Sequence, residues 1–202
     1  STIGLIFQFP ENQLFEETVY DDVAFGPRNF GLSDKEVDER VRSAMEVMGL
    51  PFDIFSKRHP FSLSGGEMRW AAIAGVIAMK PQVLIMDEPL AGVDPDGKKR
   101  LWQKMEEFRN SGMTMVLVSH SMEQLAGLSD RIMVLKRGRV IDTGSPREVL
   151  SRDRKLKEVG LEEPVFVRLA RGLRERGIPV RQDLMSLDEA FENILELFRG
   201  SG

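Results

Sequence analysis

The chain has 202 residues, 42% hydrophobic and 30% charged, with a formal net charge of -4. Such values are ordinary for a folded protein of one large domain, or of one domain with a small appendage. The absence of cysteine excludes disulfides and thiolate metal sites. The mild negative charge gives no indication of a nucleic-acid partner, and no run of about 18 apolar residues predicts a membrane span.

Apolar periodicity predicts an α/β core with helical segments inserted and appended. Strands are predicted over residues 3–9, 83–86, 113–118, 131–135 and 139–142. Helices are predicted over residues 19–30, from Ser33 to 48, from Ser64 to 80, over 96–110 and 122–128, and again after Pro146. The strand–helix alternation after residue 83 favours a parallel sheet. We assign 1–18 and 80–145 to a partial α/β core, 19–79 to a helical subdomain and 146–202 to a helical C-terminal extension.

Two consecutive glycines stand at a predicted helix start, in the segment Leu63-Ser-Gly-Gly-Glu67. Backbone N–H groups are open there, and the helix dipole adds partial positive charge, so the segment could grip a phosphate. Ser64 could either cap the helix or donate its hydroxyl to a phosphate oxygen. An ordinary capped helix is the alternative.

Polar side chains follow three of the predicted strands. Asp87 and Glu88 end the apolar run 83–86, at the edge where open α/β sheets bind ligands. One carboxylate could hold Mg²⁺, and its neighbour could orient or deprotonate an attacking water. Gln8 could bind a metal-bound water, and His120 could contact a terminal phosphate. Each residue taken alone also fits a structural role.

These motifs occur together, and their order resembles that of the ATP-binding cassette (ABC) ATPases. The likeness covers roughly residues 3–150. It matches Gln8 to the family's Q-loop glutamine, Leu63–Glu67 to the signature, Asp87-Glu88 to the Walker B end, residues 90–94 to the D-loop and His120 to the switch histidine. The segments Gln8-Phe-Pro-Glu-Asn-Gln-Leu-Phe15 and 22–32 further resemble the ATPase subunits of energy-coupling-factor (ECF) importers. Those importers take up vitamins or transition-metal ions such as cobalt and nickel.

The resemblance implies a P-loop NTPase-like fold, ATP and Mg²⁺ as cofactors, and ATP bound between two cassettes that pack head to tail. The residues implied to be catalytic are Glu88, His120 and Gln8. Those implied to contact nucleotide are Ser64, Gly65, Gly66, Glu67 and Asp94, and those implied for the metal are Asp87 and Gln8. The implied partners are a second ABC ATPase subunit, identical or different, and a transmembrane coupling subunit. Together they imply a peripheral place on the cytoplasmic face of the membrane.

One family element is missing from the printed sequence, which contains no G-x-x-x-x-G-K-[ST] loop. We interpret the chain as a fragment of a longer product, and we expect the fragment alone to bind ATP very weakly without hydrolysing it. Two alternatives stay open: the ATPase head of a DNA-repair or chromosome-maintenance protein, and a non-catalytic partner that donates only a signature face. A steady-state ATPase assay on the complete gene product separates the enzyme from the non-catalytic module.

The loop of residues 9–15 is apolar where a solvated loop would be mostly polar, since it carries Phe9, Leu14 and Phe15. We predict that these side chains are exposed and form part of a groove that receives a short helix from the transmembrane partner. The alternative is that they fill the core between the two lobes.

Overall fold

The computed structural model describes residues 2–152, 156, 160–181 and 183–199. Contacts divide the chain into two compact units, Ser1–Val118 and Ser119–Gly202, which are described one at a time. In the described residues, no helix is both long enough and apolar enough to cross a membrane. The three-segment organisation proposed from the sequence stays a prediction.

The first unit is a parallel sheet with helices. Its elements are β1 (Ile3–Ile6), α1 (Val19–Asn29), α2 (Asp34–Val47), α3 (Phe52–Phe55), α4 (Gly65–Ala78), β2 (Val83–Asp87), α5 (Pro95–Asn110) and β3 (Thr114–Val118). Short 3-10 turns lie at Pro10–Gln13 and Pro60–Ser62. The strands are parallel in the order β1-β2-β3, with Ile6 opposite Met86 and Asp87 opposite Val118. The predicted α/β class is confirmed.

Helix α4 is the central helix of this unit. It is buried on nearly all sides, as its almost continuous apolar sequence requires, and it contacts α1, α2 and β1. The helix approaches β1 closely at Gly4, where a Cβ atom would lie 2.7 Å from Val76 Cγ1. The buried face of the sheet presents Ile6, Leu84 and Met86.

Local capping signals set the starts of several helices. The predicted capping boxes form at Ser33 with Glu36 and at Ser64 with Glu67. The first strand ends earlier than predicted, at Ile6, because Pro10 begins a 3-10 turn and Phe7 and Phe9 are exposed. Helix α3 was not predicted, since it has only four residues.

The turn after α2 allows a stability prediction. Gly49 has φ 68, and Arg100 Nη2 donates to the carbonyl oxygens of Met48 at 2.6 Å and Gly49 at 3.1 Å. A methyl group on Gly49 would overlap the Arg100 guanidinium. We therefore expect Gly49→Ala to lower the free energy of unfolding by about 2–4 kcal/mol, from backbone strain plus two weakened hydrogen bonds. Urea denaturation measures this loss.

A matched control is Gly31→Ala. Gly31 has φ 70, but a Cβ there would meet nothing within 4 Å, so only the backbone strain is tested. We expect a loss of about 1 kcal/mol. Equal losses for both variants would show that the Arg100 contact contributes nothing to stability.

The second unit combines a β-hairpin with helices. Its elements are α6 (Met122–Leu128), β4 (Ile132–Lys136), β5 (Arg139–Gly144), α7 (Pro146–Leu150), α8 (Val165–Glu175) and α9 (Leu187–Arg199). The strands are antiparallel, and the turn residues Arg137 and Gly138 have φ 49 and 74, as a tight hairpin turn requires. This confirms the predicted strand pair. The core of the unit includes Val134, Val149, Phe166 and Val180.

Candidate nucleotide-binding site

Three of the predicted site residues lie at one edge of the parallel sheet. Ile6 of β1 pairs with Met86 of β2, and both Gln8 and Glu88 come two residues after that pair. Asp87 ends β2 and pairs with Val118. Gln8 is exposed, and the two carboxylates are partly exposed. An amide and two carboxylates therefore lie together at the carboxyl end of adjacent strands, the edge where open α/β sheets bind ligands.

The backbone of Glu88 is held in an unusual conformation. Its φ is 45, in the left-handed region that non-glycine residues rarely adopt. Its N–H donates to the Val118 carbonyl at 2.9 Å, and its own carbonyl accepts from the Ala91 N–H at 3.0 Å. Strained residues of this kind persist only where the surrounding structure fixes them, and they cluster at functional sites. The two bonds thus fix the direction in which the Glu88 side chain leaves the strand.

The signature segment caps α4. Ser64 Oγ accepts from the Glu67 N–H at 3.3 Å, and Glu67 Oε2 accepts from the Ser64 N–H at 2.7 Å. Gly65 and Gly66 are exposed, and a Cβ atom on either would meet nothing within 4 Å. Packing within the chain does not require glycine here, whereas close approach of a ligand to the backbone would.

Glu67 supplies a pH-dependent contribution to stability. The hydrogen bond from the Ser64 N–H holds the pKa of Glu67 below its ordinary value of 4.5. The stabilisation is therefore complete above pH 4.5 and is lost as the pH falls through the lower pKa of the folded state. Because glutamine keeps the capping bond without titrating, we expect Glu67→Gln to lose less stability than the wild type below pH 4.5. Thermal denaturation at pH 7 and pH 4 measures the difference.

The same test applies to Glu36→Gln in the capping box of α2, where the pKa of Glu36 is likewise lowered by Ser33. The two variants should behave alike. If Glu67→Gln and the wild type had the same melting temperature at pH 7 and also at pH 4, the pH-dependent contribution of Glu67 to stability would be contradicted.

Asp94 begins α5. Its carboxylate accepts from the Gly97 N–H at 3.0 Å, which holds the pKa of Asp94 below its ordinary value. The following Pro95 occupies the first helical turn, where its missing N–H costs nothing. The structure thus gives Asp94 a capping role, and its predicted contact with nucleotide stays a prediction.

His120 belongs to the second unit, in the connection between β3 and α6. It is exposed. Beside it, Ser119 Oγ donates to Gln124 Oε1 at 3.0 Å and accepts from the Ser121 N–H at 3.1 Å, which fixes the start of α6. The predicted role of His120 at a terminal phosphate stays a prediction.

Arg69, which no sequence motif singled out, connects three of the motif segments: the signature helix, the Q-loop glutamine and the D-loop. Arg69 is buried in α4 and donates to backbone carbonyls of Gln8 and of Ala91, in the D-loop. A single charge between apolar residues of a buried helix is the signal that could have found it.

Comparison with known proteins identifies the family. The ABC transporter family model matches residues 1–91. The ECF transporter ATP-binding protein EcfA2 of Caldanaerobacter subterraneus is 48% identical over 200 residues, which are 98% of this chain and 70% of the relative. EcfA2 of Clostridioides difficile is 46% identical over 202 residues, 99% of this chain and 70% of the relative. The chain belongs to the ECF transporter ATPases.

Solved structures of ABC transporter proteins share this fold. The chain is similar to cbiO1 of Clostridium perfringens, described as part of an ABC transporter complex, with a TM-score of 0.67 and 36% identity over 86% of this chain and 67% of that one. A metal-chelate type ABC transporter in an inward-facing conformation has a TM-score of 0.64 at 21% identity, over 77% of this chain and 62% of that one, which shows the fold alone. The chain is thus an ABC-type ATPase with ATP as its nucleotide, and the DNA-repair alternative is not favoured.

Proposed function

We propose that this ECF ATPase couples ATP binding and hydrolysis to import by a membrane transporter. The observation that carries the proposal is the sheet edge, where Gln8, Asp87 and the strained Glu88 lie at the ends of paired strands. Phosphoryl transfer needs positioned charges and an oriented water more than covalent chemistry. A neutral amide and two carboxylates held by a rigid sheet suit that task.

In this proposal Glu88 polarises the attacking water and Gln8 binds that water or a metal-bound water. Asp87 would hold Mg²⁺ through water. The described residues contain no group of three His, Cys, Asp or Glu that could hold a metal. When bound, Mg²⁺ would neutralise charge on the phosphates. His120 would contact the terminal phosphate.

Ser64, Gly65 and Gly66 would grip the γ-phosphate of ATP bound to a second cassette, and Asp94 would link the two sites. The open backbone at both glycines supports this role. Exposed N–H groups at the start of a 14-residue helix favour an anion. The second cassette is either a copy of this chain or a related subunit.

An apolar groove of about 400 Å³ offers a docking place for the transmembrane subunit. Its lining includes Phe15, Phe25 and Phe30, all exposed, and Phe15 contacts Phe25 edge to face at 4.9 Å between ring centroids. The groove lies beside the loop that begins at Gln8, so a helix seated there would respond to movement of the site. In this proposal the ATPase lies at the cytoplasmic face of the membrane, in an importer of vitamins or of ions such as cobalt or nickel.

The test is steady-state hydrolysis by the complete gene product, reconstituted with its membrane subunits. We expect ATP turnover that stops when Mg²⁺ is chelated and that rises when transport substrate is supplied. A chain that supports transport only beside an active partner, and whose own site never hydrolyses ATP, would be a signature donor instead.

A further inference from the structure

Arg69 is a charged side chain in the most buried helix of the first unit. It lies in α4 two residues after Glu67 and is only 6% exposed. Its neighbours Trp70 and Ala71 are buried as well. A buried charge is costly unless it is paired and hydrogen-bonded, so the contacts of this guanidinium require an explanation.

All three guanidinium nitrogens face groups from outside α4. Nη2 donates to the Gln8 carbonyl at 2.6 Å, and Nη1 donates to the Ala91 carbonyl at 3.1 Å. Nε lies 3.9 Å from Glu11 Oε2 in an ion pair. Burial lowers the pKa of Arg69 and the Glu11 carboxylate raises it, but an arginine stays charged in either case.

The partners of Arg69 belong to the segments that carry the site. The Gln8 carbonyl and Glu11 lie where the chain leaves β1, and Ala91 lies between Glu88 and Asp94. Ala91 is also hydrogen-bonded to Glu88, since the Ala91 N–H donates to the Glu88 carbonyl at 3.0 Å. The Arg69 side chain, which comes from the signature helix α4, thus holds both the backbone that follows β1 and the backbone that follows β2.

We infer that Arg69 is a positioning residue that keeps the signature helix, the backbone of Gln8 and the segment from Glu88 to Asp94 in one fixed arrangement. This inference rests on the proposed function, because it assigns Arg69 to the precision of the same site. The Arg69 side chain meets the predicted site residues at the backbone carbonyl of Gln8, not at a group that would touch the nucleotide. Its loss should therefore affect the chemical step more than ATP binding.

The geometry requires a planar fork. Two carbonyls in different segments accept from two nitrogens of one rigid group, and the third nitrogen faces a carboxylate. Lysine has the same charge, but its three N–H donors sit on one nitrogen, so it cannot reproduce the planar fork that reaches two separate carbonyls and the carboxylate at once. Arg69→Lys therefore keeps the positive charge but removes the planar set of donors.

The experiment measures ATP hydrolysis by the complete protein with its transporter partners, for the wild type and Arg69→Lys. We expect kcat to fall about tenfold to a hundredfold, because small displacements of catalytic groups have effects of that size, while KM for ATP changes less than about threefold. The matched control is Arg100→Lys. Arg100 also donates to two backbone carbonyls, those of Met48 and Gly49, neither of which is a predicted site residue. It should lose stability but keep its kcat.

A second pair of variants separates the ion pair from the fork. Glu11→Gln removes the carboxylate and leaves both carbonyl bonds, so we expect kcat within about twofold of the wild type. The double variant Glu11→Gln/Arg69→Gln leaves no unpaired buried charge, so it tests the fork even if Arg69→Lys fails to fold. It should lose kcat as Arg69→Lys does.

The inference is overturned if folded Arg69 variants keep kcat within twofold of the wild type. It is also overturned if Glu11→Gln or Arg100→Lys lowers kcat as much as the Arg69 variants do. A wild-type protein without ATPase activity would contradict the proposed function instead. The two failures are therefore distinguishable.

Discussion

Glu88→Gln in the complete protein is expected to lower kcat for ATP hydrolysis by about 10²–10⁴-fold while ATP binding is kept. Glutamine preserves the size of the side chain but cannot act as a base toward the attacking water, and general-base catalysis contributes effects of this size. The left-handed backbone of Glu88 and its bonds to Val118 and Ala91 do not depend on the carboxylate, so the fold should be unchanged. Single-turnover hydrolysis and nucleotide-binding calorimetry measure the two properties separately. In the proposed pair of cassettes, the closed state should also last longer.

The control for this substitution is Glu46→Gln, which makes the same chemical change at an exposed position on α2. It should hydrolyse ATP at the wild-type rate. If Glu88→Gln retained activity within about threefold, a difference of only about 0.65 kcal/mol in the barrier, another group would have to activate the water.

Phe15→Glu is expected to abolish association with the transmembrane subunit while the protein stays folded, whereas Leu14→Glu is expected to unfold it. Phe15 is 61% exposed and lines the apolar groove, but Leu14 is 6% exposed. A glutamate at Leu14 would bury a charge without a partner and lower the free energy of unfolding by about 3–5 kcal/mol. Thermal denaturation and co-purification of the transporter complex measure the two effects. Basal ATPase activity of Phe15→Glu should survive while transport is lost.

The matched control is Ile54→Glu, at a position that is equally exposed, at 61%, but does not line the groove. It should assemble normally. Transport by Phe15→Glu at the wild-type rate would place the docking surface elsewhere. The prediction that Leu14 is exposed was wrong, because the side chain after the 3-10 turn is buried in the unit, whereas Phe9 and Phe15 are exposed as predicted.

The sequence predicted those features that depend on neighbouring residues. The capping boxes at Ser33 and Ser64 are set by side chains three residues apart, and both form as predicted. The position of Gln8, Asp87 and Glu88 at one sheet edge follows from strand ends in a parallel sheet, so it too was predictable.

Features that depend on distant parts of the chain were not predictable in this way. The strained φ of Glu88 depends on a hydrogen bond to Val118, and Arg69 holds carbonyls 61 and 22 positions away. No local pattern encodes either contact. The apolar composition of the loop 9–15 was visible, but which of its side chains turns inward depends on the tertiary packing.

The open space around Gly65 and Gly66 implies a trade-off between activity and robustness. Alanine would fit both positions and, as a better helix former, would make α4 more stable by up to about 1 kcal/mol at each. Under the proposed function, the chain gives up helix stability at the start of α4 so that a phosphate can approach the backbone of these glycines. Thermostabilised forms of this ATPase should therefore be sought at other glycines, since the gain available here would be taken from turnover.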